Sequence, residues 1–273
     1  NGAVGVAAGM GTDNPAELTQ MELIATLPAF LPEQLGDPAF RQTYNLKYNY
    51  MAGAMANGIA SAELVIALGK AGMLASFGAG GLVPARIEAA IDTIQAALPD
   101  GPYAVNLIHS PSEEALERHG VELFLKKGVR VIEASAFLAL TPHVVRYRVA
   151  GLRQNADGSV HIGHRIIAKV SRLEVAAHFM QPAPESFLKQ LLEAGMISAE
   201  QARLAARVPM ADDITVEADS GGHTDNRSLV CLLPAVAALR DQFQQQYNYP
   251  QPVRVGAAGG IGTPEATLGA FAM

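Results

Sequence analysis

Residues 214–226 read Ile-Thr-Val-Glu-Ala-Asp-Ser-Gly-Gly-His-Thr-Asp-Asn and carry the densest chemistry in the chain. A β-branched run, Ile214–Val216, leads in, and an apolar helix-like run leaves from Leu229. Ser220, Gly221 and Gly222 remove side-chain bulk, so the backbone there can approach a bound molecule closely. His223 follows at once. At the carboxyl end of a strand, where α/β proteins bind ligands, an imidazole is placed for proton chemistry. The same residues also suit a plain turn bearing a surface histidine.

A second stretch, Gly259, Gly260 and Gly262 before Thr263-Pro264, reads as a glycine-rich strand-to-helix turn. Backbone N–H groups at a helix N-terminus make an anion site, and barrels often hold phosphate after strands seven and eight. A purely structural turn is the alternative. The glycine spacing is not a Rossmann fingerprint, and no Walker lysine follows.

Single residues add to this. Asn106 ends an apolar strand, where its amide needs a partner. Lys169 is the only charge in Ile166–Val170 and should pair with Glu133, Glu217 or a ligand anion. Those two carboxylates lie near strand ends, either structural or lining a site. His161 and His164 flank a glycine on a polar hairpin with no further metal ligands in view, so they read as surface residues and no metal is expected. Asp212 and Asp213 sit at a strand entry, the wrong end for barrel chemistry. His109 reads as a solvated loop residue, and Cys231, in an apolar run, as a buried thiol.

The elements that must position these groups repeat. Apolar strands are expected at Tyr48–Met55, Leu74–Ala79, Tyr103–Ile108, Val129–Ser135, Arg165–Ser171, Ile214–Val216 and Val253–Gly260. Helices are expected at 61–71, 84–98, 111–127, 141–150 and from Thr263, with a hairpin at Asn155–Gly158. A helical insertion of about 181–210 follows strand five. Unalternating strands, each followed by a helix, predict a parallel sheet covered on its outside. Small or polar residues at the strand ends favour a TIM (β/α)8 barrel over 48–273, preceded by a lead-in segment, 1–47. Only seven strands are counted, which predicts a fragment lacking strand eight.

The 273 residues carry a net charge of -6 and no Lys/Arg block, which argues against nucleic acid as a partner. One cysteine rules out an internal disulfide. No secretory signal or membrane span is read, so a cytoplasmic location is expected.

Four stretches together resemble a known family: Tyr50–Ser61, Val105–Pro111, Met210–Asp213 with Glu217–Asp225, and Gly256–Gly262. They look like the PfaD-type, trans-acting enoyl reductases of polyunsaturated-fatty-acid and polyketide synthases, relatives of the nitronate monooxygenase flavoproteins. The resemblance implies an FMN-dependent TIM barrel that uses NADPH. It places Ala52, Gly53, Ala54 and Met55 against the flavin ring, with Asn106 and Lys169 hydrogen-bonding the isoalloxazine. It puts Gly221 and Gly222 close to the cofactor, Gly259, Gly260 and Gly262 at its phosphate, and His223 at the active-site histidine. The implied substrate is an α,β-unsaturated acyl thioester on an acyl carrier protein, and a homodimer is admitted. A nitronate monooxygenase with His223 as base, or a non-catalytic barrel that docks carrier proteins, are the competing readings.

Overall fold

Seven parallel strands curl into a half-barrel, in the order β1 (Met51–Ala52), β2 (Leu74–Phe77), β3 (Ala104–Ile108), β4 (Val131–Ser135), β7 (Arg165–Val170), β8 (Asp213–Glu217) and β9 (Arg254–Ala258). The structure, a computed structural model, describes residues 30–220 and 224–273. Residues 33–273 form one compact unit.

Each parallel pair is bridged by a helix, as right-handed βαβ crossovers require. These are α2 (Ala62–Lys70), α3 (Pro84–Ala97), α4 (Glu114–Lys127), α5 (Pro142–Ala150), α6 (Leu173–Met180), α9 (Leu229–Tyr247) and, after β9, α10 (Pro264–Ala272). α1 (Pro38–Tyr44) precedes the sheet. Local chemistry sets the starts. Ser61, Thr141 and Thr263 cap backbone N–H groups of α2, α5 and α10, and Pro142 and Pro264 occupy first turns. The expected hairpin is present as β5 (Leu152–Gln154) against β6 (Val160–Ile162), turning at Gly158 with φ 81°. The insertion after β7 contains α7 (Glu185–Glu193) and α8 (Ala199–Ala205), the latter opened by a Ser198–Gln201 capping box. α6 was not among the expected helices.

Side chains of parallel strands alternate between helices and barrel interior. The outward set, including Phe77, Leu107, Ile132, Ile166, Val170, Ile214 and Val216, is buried against the helices and forms the larger core. At about 1.5–3 kcal/mol for each fully buried large apolar side chain, this layer dominates the fold's stability. The inward set is layered. Leu74, Ala104, Val131 and Ile167 pack with Tyr44 of α1 as a small apolar floor.

Beneath that floor lies an ion-pair network at the amino ends of the strands. Asp212 accepts from Arg148 at 2.6 Å, from Arg165 at 2.7 Å and from the Ile166 N–H at 3.1 Å. Arg148, 1% exposed, also donates to the carbonyls of Pro209 and His164. Asp213 is held by both ends of Arg254, at 2.6 and 2.7 Å, and by the Tyr44 hydroxyl at 2.5 Å. These two aspartates are therefore structural, at the end of the barrel where barrels do no chemistry.

Three expectations change. β1 covers two residues, because the Ala54 N–H goes to the Glu133 carboxylate across the barrel. His164 is not a surface residue: it stacks on Tyr147 at 4.9 Å with Nδ1 3.0 Å from the Tyr147 carbonyl, and burial lowers its pKa. Cys231 is exposed, since α9 buries Leu232 and Val236 and turns Val230 and Cys231 outward. No helix among the described residues is long and apolar enough to cross a membrane.

Candidate active site

Above the apolar floor the inward positions turn polar. Ser76 on β2, Asn106 on β3, Glu133 and Ser135 on β4, Lys169 on β7 and Thr215 and Glu217 on β8 occupy them, while β9 contributes only Gly256 and Ala258. The register aligns Asn106 with Glu133, Lys169 with Thr215, Thr215 with Gly256 and Glu217 with Ala258. A cavity of about 630 Å³ runs along this concave face, lined by Gly53, Ala54, Glu133, Lys169, Glu217 and the β9 backbone through Ile261. Volumes of roughly 300–1,000 Å³ suit small-molecule and cofactor sites.

Asn106 spends its amide N–H groups inside the wall, on the Glu133 carbonyl at 3.1 Å and the Ser135 hydroxyl at 2.7 Å. Its Oδ1 remains as an acceptor. Lys169 ion-pairs with Glu217 at 3.5 Å. Glu133 is buried, its pKa raised by that burial, with the Lys169 ammonium the strongest opposing influence. The Ser76 hydroxyl is buried beside Glu133 and, with the Lys169 ammonium, opposes the upward push of burial on that carboxyl.

The turns at the strand ends interlock. The Met55 carbonyl accepts the Ala60 N–H at 3.1 Å, Gly58 N–H reaches the Gly78 carbonyl at 2.9 Å, and Asn57 N–H reaches the Gly80 carbonyl at 2.7 Å. A Cβ on Gly78 would lie 1.7 Å from the Met55 oxygen, so this crossing admits only glycine. Gly78 was not singled out from the sequence. After β9, Gly259 and Gly260 take φ 93° and 68°, the left-handed region that glycine enters without strain. A Cβ on Gly259 would meet the Ala218 carbonyl at 2.6 Å, whereas Gly256 and Gly262 face open space. The Gly260 and Ile261 N–H groups make no hydrogen bond to a described residue, and the α10 N-terminus follows them.

His109 differs from its expected solvated state. Its Nδ1 lies 2.8 Å from buried Glu117, and its ring stacks on Phe137 at 5.1 Å. Glu117 also takes the Thr141 hydroxyl, so the cluster ties the β3–α4 loop to the start of α5. Gly221, Gly222 and His223 lie outside the described residues. The loop containing them is closed at its base by the Asp219 N–H to the Arg227 carbonyl, 2.9 Å. Asp225 is gripped by Arg172, 2.8 Å at both ends, and by Ser171 at 2.9 Å, which lower its pKa. His161 and His164 stay on the hairpin side, and no group of three or more metal-ligating side chains occurs among the described residues.

No family model matches the chain. Over 241 residues the chain is 58% identical to part of the polyunsaturated fatty acid synthase of Thraustochytrium sp., covering 88% of this chain and 16% of that protein. It is 49% identical over 240 residues to polyketide biosynthesis protein PksE of Bacillus subtilis, covering 88% of this chain and 31% of PksE. The enoyl reductase domain of MlnA, from the macrolactin biosynthesis cluster of Bacillus amyloliquefaciens, superposes with a TM-score of 0.85 at 44% identity, covering 88% of this chain and 54% of that one. The chain belongs to the PfaD-type enoyl reductase family. Its half-barrel is accordingly a TIM-barrel sheet. The chain spans under a third of the two curated relatives named.

In this PfaD-type barrel, Ala52, Gly53 and Ala54 end β1 beside Glu133, while Met55 is exposed over the β2 turn. Lys169, Gly259 and Gly260 line the same cavity and its upper rim, with Gly262 one turn further, whereas Asn106 lines a smaller pocket with Gly80 and Ile108. Ser76, Ser135 and Glu133 join them from inward positions that an unalternating strand does not advertise.

If this turn holds the FMN phosphate, as the resemblance implies, replacing Gly260 with Val would weaken FMN binding at least about tenfold, because a β-branched residue is strained at positive φ and lies in the unbonded N–H turn. Fluorescence titration of the full-length protein with FMN checks this. An unchanged dissociation constant would remove the turn from the phosphate site.

Proposed function

We propose that this chain is the catalytic barrel of an FMN- and NADPH-dependent enoyl reductase acting on α,β-unsaturated acyl thioesters held by an acyl carrier protein of a polyunsaturated-fatty-acid or polyketide synthase. The observation that carries the reading is the match to the MlnA enoyl reductase domain, at a TM-score of 0.85. The cavity supports it. β9 offers bare backbone at Gly256 and beyond, so a planar ring can lie flat there without side-chain obstruction. The Lys169 ammonium, paired with Glu217 at 3.5 Å, supplies a polar contact opposite.

Bound FMN would supply hydride chemistry between NADPH and the acyl chain. The chain's residues do the rest. Gly260 and Ile261 donate N–H groups to the phosphate, helped by the positive end of α10. Lys169 and the Asn106 Oδ1 orient the ring system. Ala52–Met55 form the wall against it. The reduction places a hydride on the β-carbon and a proton on the α-carbon, and His223 is the proposed donor of that proton. Asp225, two residues after His223 in the chain, is anchored on Arg172. The carrier protein docks at the carboxyl ends of the strands and threads its acyl arm inward.

The test is a purified full-length protein with a flavin absorbance spectrum that oxidises NADPH anaerobically only when an enoyl thioester is supplied. Replacing His223 with Ala is expected to leave FMN bound and cut turnover on the order of 10² or more. Turnover of a nitronate with O2 in place of the enoyl thioester would instead support nitronate oxidation. Unchanged turnover in the His223→Ala protein would remove the proton-donor role.

A further inference from the structure

Glu133 is not part of the proposed chemistry, yet it is the most buried carboxylate of the concave face, 1% exposed. Its side chain leaves β4 and crosses to the end of β1, where Oε2 accepts the Ala54 N–H at 2.7 Å. A Cβ added to Gly53 would come within 3.2 Å of its other oxygen, so the β1 turn is fitted closely around the carboxylate. On the other side it faces β7. Glu133 is in register with Ile167, and Lys169 occupies the next inward position along that strand. Lys169 in turn reaches Glu217 at 3.5 Å, with no hydrogen bond between them.

The Lys169 ammonium therefore pairs with Glu217 and reaches Glu133, one inward position back on the neighbouring strand, only through its field, at the wall of a cavity opposite Gly256. A pair built for stability alone closes its contacts, because burying charge without close hydrogen bonds is costly. Here Lys169 keeps unspent donors, and its field is shared between Glu133, Glu217 and whatever fills the cavity.

We propose that Glu133 is a positioning residue for a bound flavin, holding the β1 turn through the Ala54 N–H and restraining the Lys169 charge that the cofactor meets. The proposal rests on the flavin reading above. With Glu133 ionised, the ammonium is partly neutralised. Removing that carboxylate's charge gives more of the Lys169 field to the cavity, which favours the more negative, reduced form of the cofactor.

The experiment compares full-length wild-type protein with Glu133→Gln and Glu133→Asp, each titrated with FMN and equilibrated with reference dyes. Gln keeps an oxygen to accept the Ala54 N–H but carries no charge. Asp keeps the charge but is too short to span from β4 to β1. Glu133→Gln is expected to bind FMN and to favour the reduced form about tenfold more than wild type does. For a two-electron couple that is about 30 mV more positive. Glu133→Asp is expected to bind FMN several-fold more weakly with little change in potential.

A flavin-loaded wild type and a Glu133→Gln protein at the same potential would overturn this inference alone. If Glu133→Gln does not fold, a shifted potential in Glu133→Asp with unaltered FMN affinity overturns it equally. Wild-type protein that takes up no flavin overturns the cofactor reading and this inference with it.

Discussion

Replacing Asp212 with Ala should lower stability by about 3–5 kcal/mol at neutral pH, because it leaves the buried Arg148 guanidinium without its charge partner. Arg148 would keep its bonds to the Pro209 and His164 carbonyls, which satisfy donors but do not neutralise charge. Urea unfolding at pH 7 measures the loss. Replacing Arg148 with Met in the same protein should recover a good part of it, since removing both ions is far cheaper than removing one. A double-variant loss equal to the sum of the two single-variant losses would show that the pair is not coupled.

The pH dependence carries a definite sign. Burial acts to raise the Asp212 pKa, but Arg148 and Arg165 outweigh it and hold the carboxyl below its ordinary value. A depressed folded pKa contributes stability above the unfolded value, near 3.9, and that contribution fades as pH falls through the folded value. The gap between wild type and Asp212→Ala should therefore be full at neutral pH and shrink only below about pH 4. Asp213 has the opposite sign. Its burial raises its pKa against Arg254, so its ionisation offsets part of the stability that its bonds provide. Substituting Asp213 should therefore move the acid limb in the opposite sense to substituting Asp212.

How much of this was visible in the chain follows from what each residue type can signal locally. Helix starts were legible at Ser61, Thr141 and Thr263, since a cap and its first turn are neighbours in sequence. The glycine-ended strands were legible too, because loss of side chains at the end of an apolar run has few other uses. The inward face was not. Parallel strands are apolar on both sides, so Leu74-Ala-Ser-Phe77 shows no alternation, and nothing marks Ser76 as facing a cavity. Lys169 stood out only because a charge breaks an apolar run.

Other residues depended on distant partners. β1 ends early because a carboxylate three strands away takes the Ala54 N–H. His109 is fixed by Glu117 and Phe137, from a helix and a loop that the chain brings back to it. Cys231 lies in an apolar run whose buried stripe is narrower than the run itself. These are tertiary effects, and propensity has no access to them.

Gly78 gives the sharpest contrast between a glycine that the fold needs and one that a ligand needs. Replacing Gly78 with Ala is expected to cost more than about 4 kcal/mol, because its Cβ would sit 1.7 Å from the Met55 oxygen. Backbone lies on both sides of that contact, so no side chain can swing away to relieve it. The turn after β1 would have to give up the bonds from Ala60 to Met55 and from Gly58 to Gly78. FMN affinity should fall with it, since Ala52–Met55 belong to the same turn. Gly256 predicts the reverse. A Cβ there meets nothing within 4 Å, so Gly256→Ala should melt within a few tenths of a kcal/mol of wild type or slightly above it. Its methyl group would nevertheless project from β9 into the cavity proposed for the ring, and FMN should bind at least about tenfold more weakly through that clash alone. Thermal melts of the apo proteins and FMN titrations, run on both variants in parallel, separate the two roles. A Gly256→Ala protein with wild-type FMN affinity would move the ring off the β9 wall, and a Gly78→Ala protein of wild-type stability would show that the β1–β2 crossing is looser than its geometry requires.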